Sequence, residues 1–87
     1  MRADKEKVTR LLKTARGQID GILKMIEQDR YCLDISHQVL ATESVLNRAN
    51  EEILRAHLEG CVVEAVEQGN EQEKIDEIMG LLDRLMG

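Results

Sequence analysis

Three side chains in this 87-residue sequence are soft metal donors that could act together: Cys32, His57 and Cys61. His57 and Cys61 stand four apart in His57-Leu58-Glu59-Gly60-Cys61. On a helix such a pair lies about 40° apart in direction and one turn apart in height. Cys32 precedes His57 by 25 residues. That is almost seven helical turns, so Cys32 faces the same way as His57 but sits about 37 Å away along the axis. One helix cannot close the set. Two antiparallel copies close it twice, with Cys32 of one chain meeting His57 and Cys61 of the other.

Two thiolates and one imidazole suit Cu(I), which accepts trigonal three-coordination, and they suit Zn(II) where a fourth ligand is at hand. His37 lies five residues after Cys32 and points to another face, so it reads as solvated surface. A three-donor set therefore favours Cu(I). Cys32 falls near a helix start, where the dipole favours the metal-binding thiolate. A cysteine on an apolar helix is most often packing, and a His and a Cys four apart also arise by chance. What weighs for a site is that all three share one face, and that helix length independently demands the antiparallel pair. No Ser/His/Asp grouping, Gly-rich phosphate loop or HExxH pattern is present, so an enzyme is not expected.

The elements that must carry these donors read as three helices. In the first segment, about Asp4 to Glu27, Val8, Leu12, Ala15, Ile19, Ile22 and Ile26 recur at steps of three or four. Asp4 is its expected N-cap, with Glu6 near the positive end of the dipole. Gly17 and Gly21, four apart, would allow another helix close. A break is expected near Gln28-Asp29-Arg30-Tyr31, although neither Gly nor Pro marks it. The second segment, about Cys32 to Glu67, repeats Ile35, Val39, Leu46 and Ile53, with Thr42 and Ala49 between. Leu40, Leu54, Leu58, Val62 and Ala65 form a second flank. A helix of this length spans about 54 Å, more than so short a chain can cover, and a homodimer on an antiparallel pair of these helices follows. Gly69-Asn70 ends it, and Asn70 with Glu73 reads as a capping box for a third helix bearing Ile75, Ile78, Met79, Leu82, Leu85 and Met86. One domain over residues 1–87, all-α, is the expectation.

Composition agrees. The sequence has no Pro, Trp or Phe, and 33% of it is charged. The net charge of −5 argues against a simple nucleic-acid binder. Its distribution argues the other way. Residues 1–24 carry seven basic side chains against three acidic, a balance of +4, and the remainder carries five against fourteen, −9. A phosphate backbone meets one face only, so this polarity matters more than the sum. No run is apolar enough for a membrane span or a signal peptide, which points to the cytoplasm, where paired thiols read as ligands or reactive groups.

Tyr31-Cys32-Leu33-Asp34-Ile35, Gln38, Leu46-Asn47-Arg48-Ala49-Asn50, His57-Leu58-Glu59-Gly60-Cys61 and Arg16-Gly17-Gln18 together resemble the copper-sensing operon repressor (CsoR) family over nearly the whole chain. Nickel/cobalt and formaldehyde sensors of the superfamily lack the second Cys, and persulfide sensors lack the His. The resemblance implies antiparallel four-helix-bundle dimers that assemble into a disc-shaped tetramer, a dimer of dimers without a helix-turn-helix. It implies a repressor that binds operator double-stranded DNA in the apo form and releases it on binding Cu(I), derepressing copper export or sequestration genes. By that resemblance Cys32 of one protomer and His57 and Cys61 of its partner are the ligands. Tyr31 and Glu77 match positions that hydrogen-bond around the histidine. Arg16 and Arg48 match basic DNA-facing positions, and Arg10, Lys13 and Lys5 extend that face. Where relatives often carry Arg, this chain has Leu11, and Arg10 one residue earlier turns its side chain by about 100°. Neither a membrane nor a small-molecule substrate is implied.

Two other readings stand beside this one. A thiol sensor of the same fold would use Cys32 and Cys61 in persulfide or polysulfide chemistry and would not need His57. A copper-buffering helical protein would never touch DNA, and its Arg16/Arg48 face would be ordinary solvated surface.

Overall fold

The computed structural model describes the backbone of residues 1–86 and the side chains through Arg84. Leu85 and Met86, expected on the apolar face of the third helix, lie outside the described side chains. Three helices, α1 (Lys5–Glu27), α2 (Cys32–Gln68) and α3 (Glu71–Met86), make up the all-α fold, with no strand among the described residues.

Each boundary has a local cause. Asp4 caps α1, its carboxylate accepting from the N–H groups of Glu6 at 3.0 Å and Lys7 at 3.2 Å. The weakly marked end of α1 is a Schellman turn: Arg30 N–H donates to the Met25 carbonyl at 3.0 Å and Asp29 N–H to that of Ile26 at 3.1 Å. Asp29 supplies the left-handed residue, at φ +50°. Gly69 ends α2 in the same left-handed region, at φ +73°, with its N–H on the Ala65 carbonyl at 2.8 Å. The expected capping box at Asn70 does not form. Asn70 Oδ1 is buried without a hydrogen-bond partner, and α3 begins on a backbone bond from Lys74 N–H to the Asn70 carbonyl at 3.3 Å.

α1 packs along α2, and α3 packs back on α2 alone. The α1 residues turned inward are Val8 and Ala15, buried, with Leu11, Gln18, Ile22 and Met25 half-buried. They recur at steps of three and four. They meet Thr42, Val45 and Ala49 of α2, all buried. Thr42 satisfies its hydroxyl on the Gln38 carbonyl at 3.0 Å, and Lys7 pairs with Glu52 across the two helices at 2.9 Å. Leu12, Ile19 and Ile26, which follow the same helical repeat, are exposed on a second apolar stripe of α1. Gly17 and Gly21 open onto space, with nothing within 4 Å of where a side chain would start.

The protomer measures 58 × 28 × 12 Å. Its radius of gyration of 17.5 Å compares with about 12 Å for a compact chain of this length. Val39 and Leu46 of α2 stay exposed on the face that carries Cys32 and His57, while Val62, Val63 and Val66 are exposed toward its C-terminal end.

Candidate metal centre

His57 and Cys61 lie one turn apart in the C-terminal half of α2, where α3 folds back against it. His57 Nε2 is 3.2 Å from Cys61 Sγ and 3.2 Å from Glu77 Oε1. Glu77 comes from the second turn of α3, so the loop at Gly69-Asn70 is what brings it to the histidine. Cys61 is buried. The His57 and Glu77 side chains remain open to water.

Electrostatics centre on Glu77. The hydrogen bond from His57 holds its carboxyl below the ordinary carboxylate value, and the charge of Lys74 adds to the effect, against a small opposing push from burial. Lys74 Nζ reaches Glu77 Oε2 at 3.5 Å. An imidazole whose ring nitrogen is held by a carboxylate has its orientation and tautomer set, which is how metal-binding histidines are commonly positioned.

Cys32 opens α2 and is exposed, as is Tyr31 just before it. Neither joins His57 within one protomer; the straight helix between them keeps them about 37 Å apart. The donor atoms of His57, Cys61 and Glu77 all lie within 4.8 Å of one another. Imidazole, thiol and carboxylate in this arrangement fit a metal, and the protomer leaves room for further ligands on the exposed side.

One feature here carries little sequence signal. Arg2 reaches over α2 to pair with Glu64, and its guanidinium lies across Gly60, where a Cβ would overlap it. The sequence separation of 62 hides this contact; the glycine between His57 and Cys61 is the one hint. The basic side chains expected to form one face lie on α1 and along its seam with α2. Arg10 and Arg48 line one shallow groove between α1 and α2, with Lys7, Leu11, Thr14 and Val45. Lys5, Arg10 and Lys13 line the neighbouring outer face of α1, and Arg16 continues it beside Lys13 and Leu12. Leu11 is turned toward α2, while Arg10 reaches the groove that Arg48 shares.

Residues 4–84 match the model of a protein family described as metal-sensitive transcriptional repressor. The chain is 50% identical over 68 residues to the copper-sensing transcriptional repressor CsoR of Mycobacterium ulcerans, covering 78% of this chain and 58% of that protein. It spans 58% to 65% of the length of the first curated relatives it matches. Among solved structures it is similar to the copper-sensing repressor CsoR with Cu(I) from Geobacillus thermodenitrificans, with TM-score 0.84 and 29% identity, covering all of this chain and 94% of that one. It is equally similar to the nickel-responsive transcriptional regulator InrS, with TM-score 0.85 and 28% identity, covering 97% of this chain and 94% of that one. One backbone thus serves proteins that answer to different metals.

Proposed function

The chain belongs to the metal-sensitive transcriptional repressor family, and on that footing we propose that it is a Cu(I)-responsive repressor whose metal-free form holds operator DNA. The observation that carries the choice of metal is the donor set on α2. His57 and Cys61 stand one turn apart on one face, with Cys61 Sγ 3.2 Å from the ring, and an exposed thiol, Cys32, lies on the same face seven turns away; with Nε2 held by Glu77, Nδ1 is the nitrogen left for a metal. An antiparallel homodimer along that face sets Cys32 of one protomer beside His57 and Cys61 of its partner. Bound there, Cu(I) would supply a soft trigonal centre that takes two thiolates and an imidazole.

The chain's own residues do the rest. Glu77 accepts from His57 and so ties the ring to α3. Tyr31, at the start of α2, is carried to the partner's histidine by the same pairing. A change at His57 is thereby felt in α3 through Glu77. Arg10, Arg48, Lys5, Lys13 and Arg16 form the surface for phosphate, in a dimer of dimers that presents several such faces to one duplex. Contacts of this kind set affinity and register and weaken as salt rises. Loading lowers DNA affinity because the two ligands favour different arrangements of one assembly, and reciprocity requires DNA to weaken Cu(I) binding by the same factor.

Fluorescence anisotropy of a labelled promoter fragment from the protein's own operon, titrated anaerobically, tests this. Metal-free protein should bind, and one Cu(I) per protomer should release it. His57→Ala should bind DNA and ignore Cu(I). Glu77→Ala should keep Cu(I) affinity nearly intact while weakening release. DNA binding that ignores Cu(I) but answers to polysulfide would show the inducer to be wrong, and absence of DNA binding at low salt would remove the repressor reading.

A further inference from the structure

Tyr31 is the only aromatic residue of the chain. It stands exposed at the head of α2, and its side chain takes no part in capping that helix. We propose that Arg2 is a positioning residue that stacks on the partner's Tyr31 and holds that ring beside the His57–Cys61 turn, an inference that rests on the antiparallel pairing of α2 described above.

Within one protomer, the residues before α1 run on along α2 beyond the Lys7–Glu52 pair. Ala3 is buried, and Arg2 pairs with Glu64 with its guanidinium lying across Gly60. A glycine weakens a helix interior; here it leaves the space that the guanidinium fills, since a Cβ would overlap it. The chain's own Tyr31 lies 29 residues back from Gly60, about 44 Å along a straight helix, so only a partner's ring can reach Arg2. Antiparallel pairing delivers one. Tyr31 immediately precedes Cys32, and Gly60 immediately precedes Cys61. Each step back turns the position by about 100° around its helix. A two-fold axis perpendicular to both helices preserves the sense of that turn, so Tyr31 and the partner's Gly60 fall on the same side of the pair. Their heights agree as well. One residue back on one helix is one residue forward on its antiparallel partner. Matching Cys32 to His57 therefore levels Tyr31 with Leu58, and matching it to Cys61 levels it with Val62. Gly60 is midway between.

The chemistry of the two side chains matches this placement. A guanidinium is planar and always charged; its edge can keep a carboxylate while its face stacks on an aromatic ring. Arg2 gives its edge to Glu64, which leaves a face for the partner's Tyr31. Stacking fixes the tilt of the phenol and leaves its hydroxyl free, with His57 less than one turn from Gly60. The histidine is then flanked from two directions, by Glu77 of its own α3 and by a tyrosine from the other chain. Arg2 touches neither the imidazole nor a thiol and acts through the ring that it holds.

With no tryptophan in the chain, Tyr31 is its sole intrinsic fluorophore, so ultraviolet emission reports this ring alone. The test is quenching of that emission by acrylamide, a neutral quencher, in the metal-free intact oligomer. Arg2→Ala should raise the ratio of undocked to docked ring about two- to five-fold, the range that one cation–π contact sets. Gly60→Ala, which displaces the guanidinium without removing it, should raise it likewise. Subunit mixing then shows which chain supplies the arginine. Tyr31→Phe is silent in emission but keeps Arg2, so an excess of it added to Arg2→Ala should restore protection of the remaining tyrosine. Equal quenching in wild type and Arg2→Ala, or no recovery after mixing, overturns the proposal. Sedimentation of the same samples separates two failures: a dimer in which Arg2→Ala changes nothing refutes the stack alone, whereas a monomer refutes the pairing beneath it. Neither copper nor DNA enters the measurement, so a protein that shows this pattern and ignores Cu(I) refutes the copper reading and leaves the stack standing.

Discussion

Truncating Leu46 should loosen the association of two protomers without unfolding either. Antiparallel pairing that sets Cys32 against His57 and Cys61 of a second chain places the two-fold axis midway between them. The midpoint of 32 and 57 is 44.5, and that of 32 and 61 is 46.5. Leu46 is on the face that carries Ile35, Val39 and Ile53, and it would meet its own copy there. Its neighbours Val45 and Ala49 are the ones that hold α1, so the protomer keeps its core. Leu46 is 42% exposed in the protomer. Full burial of a leucine is worth about 1.5–3 kcal/mol, so covering the remaining fraction contributes about 0.6–1.3 kcal/mol per copy. Both copies together contribute about 1.3–2.5 kcal/mol. At 1.4 kcal/mol per decade, Leu46→Ala should weaken dimerisation about ten- to sixty-fold. Sedimentation equilibrium, or subunit exchange between labelled protomers, reads this directly, with far-ultraviolet circular dichroism confirming unchanged helicity. A dissociation constant within about two-fold of wild type, with helicity intact, would move the α2 pairing elsewhere and remove the geometric route by which Cys32 reaches His57.

Gly69→Ala should destabilise the protein by about 1–2 kcal/mol, because φ is +73° there and a Cβ resists the left-handed region; chemical denaturation measures it. Gly60→Ala should cost nothing net: it displaces the exposed Arg2–Glu64 pair, worth about 0–1 kcal/mol, while the helix gains about 1 kcal/mol on losing a glycine, so an unchanged or raised Tm is expected. In the metal-free protein the Glu77 contact should weaken with acid. Its carboxyl titrates below its ordinary value because of His57 and Lys74; the α2–α3 contact is therefore at full strength above the ordinary carboxylate range and is lost as pH falls through the lowered folded value. Hydrogen exchange of α3 amides across that range should show the loss, and Glu77→Gln should flatten it.

Helix ends were legible in the sequence wherever a residue type commits the backbone. Asp4 at the head of α1 and Gly69 at the tail of α2 are such residues, and both do what their types suggest. The end of α1 was hard to read because Asp29 takes the left-handed role that glycine usually fills, and aspartate serves many other purposes. Asn70 misled in the opposite direction: its type suits a cap, but the chain reversal into α3 turns its oxygen away from any donor. The core of α1 was only half legible. Period alone cannot separate Val8 and Ala15, which pack on α2, from Leu12, Ile19 and Ile26, which do not, because both sets follow the helical repeat. The pairing of His57 with Cys61 could be read from a spacing of four. The meeting of His57 with Glu77 could not be read from spacing, since it depends on how far Gly69-Asn70 turns the chain; resemblance to known repressors was the only sign of it. Arg2 over Gly60 left no such sign.

A slab 12 Å thick is one helix deep, and that has a genetic consequence. Such a chain owns little private interior beyond the small residues of its helix seams: the leucines that a larger domain would keep to itself are, under the dimeric reading, held jointly with a second molecule. A substitution is then judged twice, in the copy that bears it and in the copy it meets. Two defective alleles can rescue one another. A chain lacking Cys32 still offers His57 and Cys61, and a chain lacking those two still offers Cys32, so their mixed dimer carries one complete set where either parent alone has none. A cell bearing both alleles would regain a response that neither confers by itself.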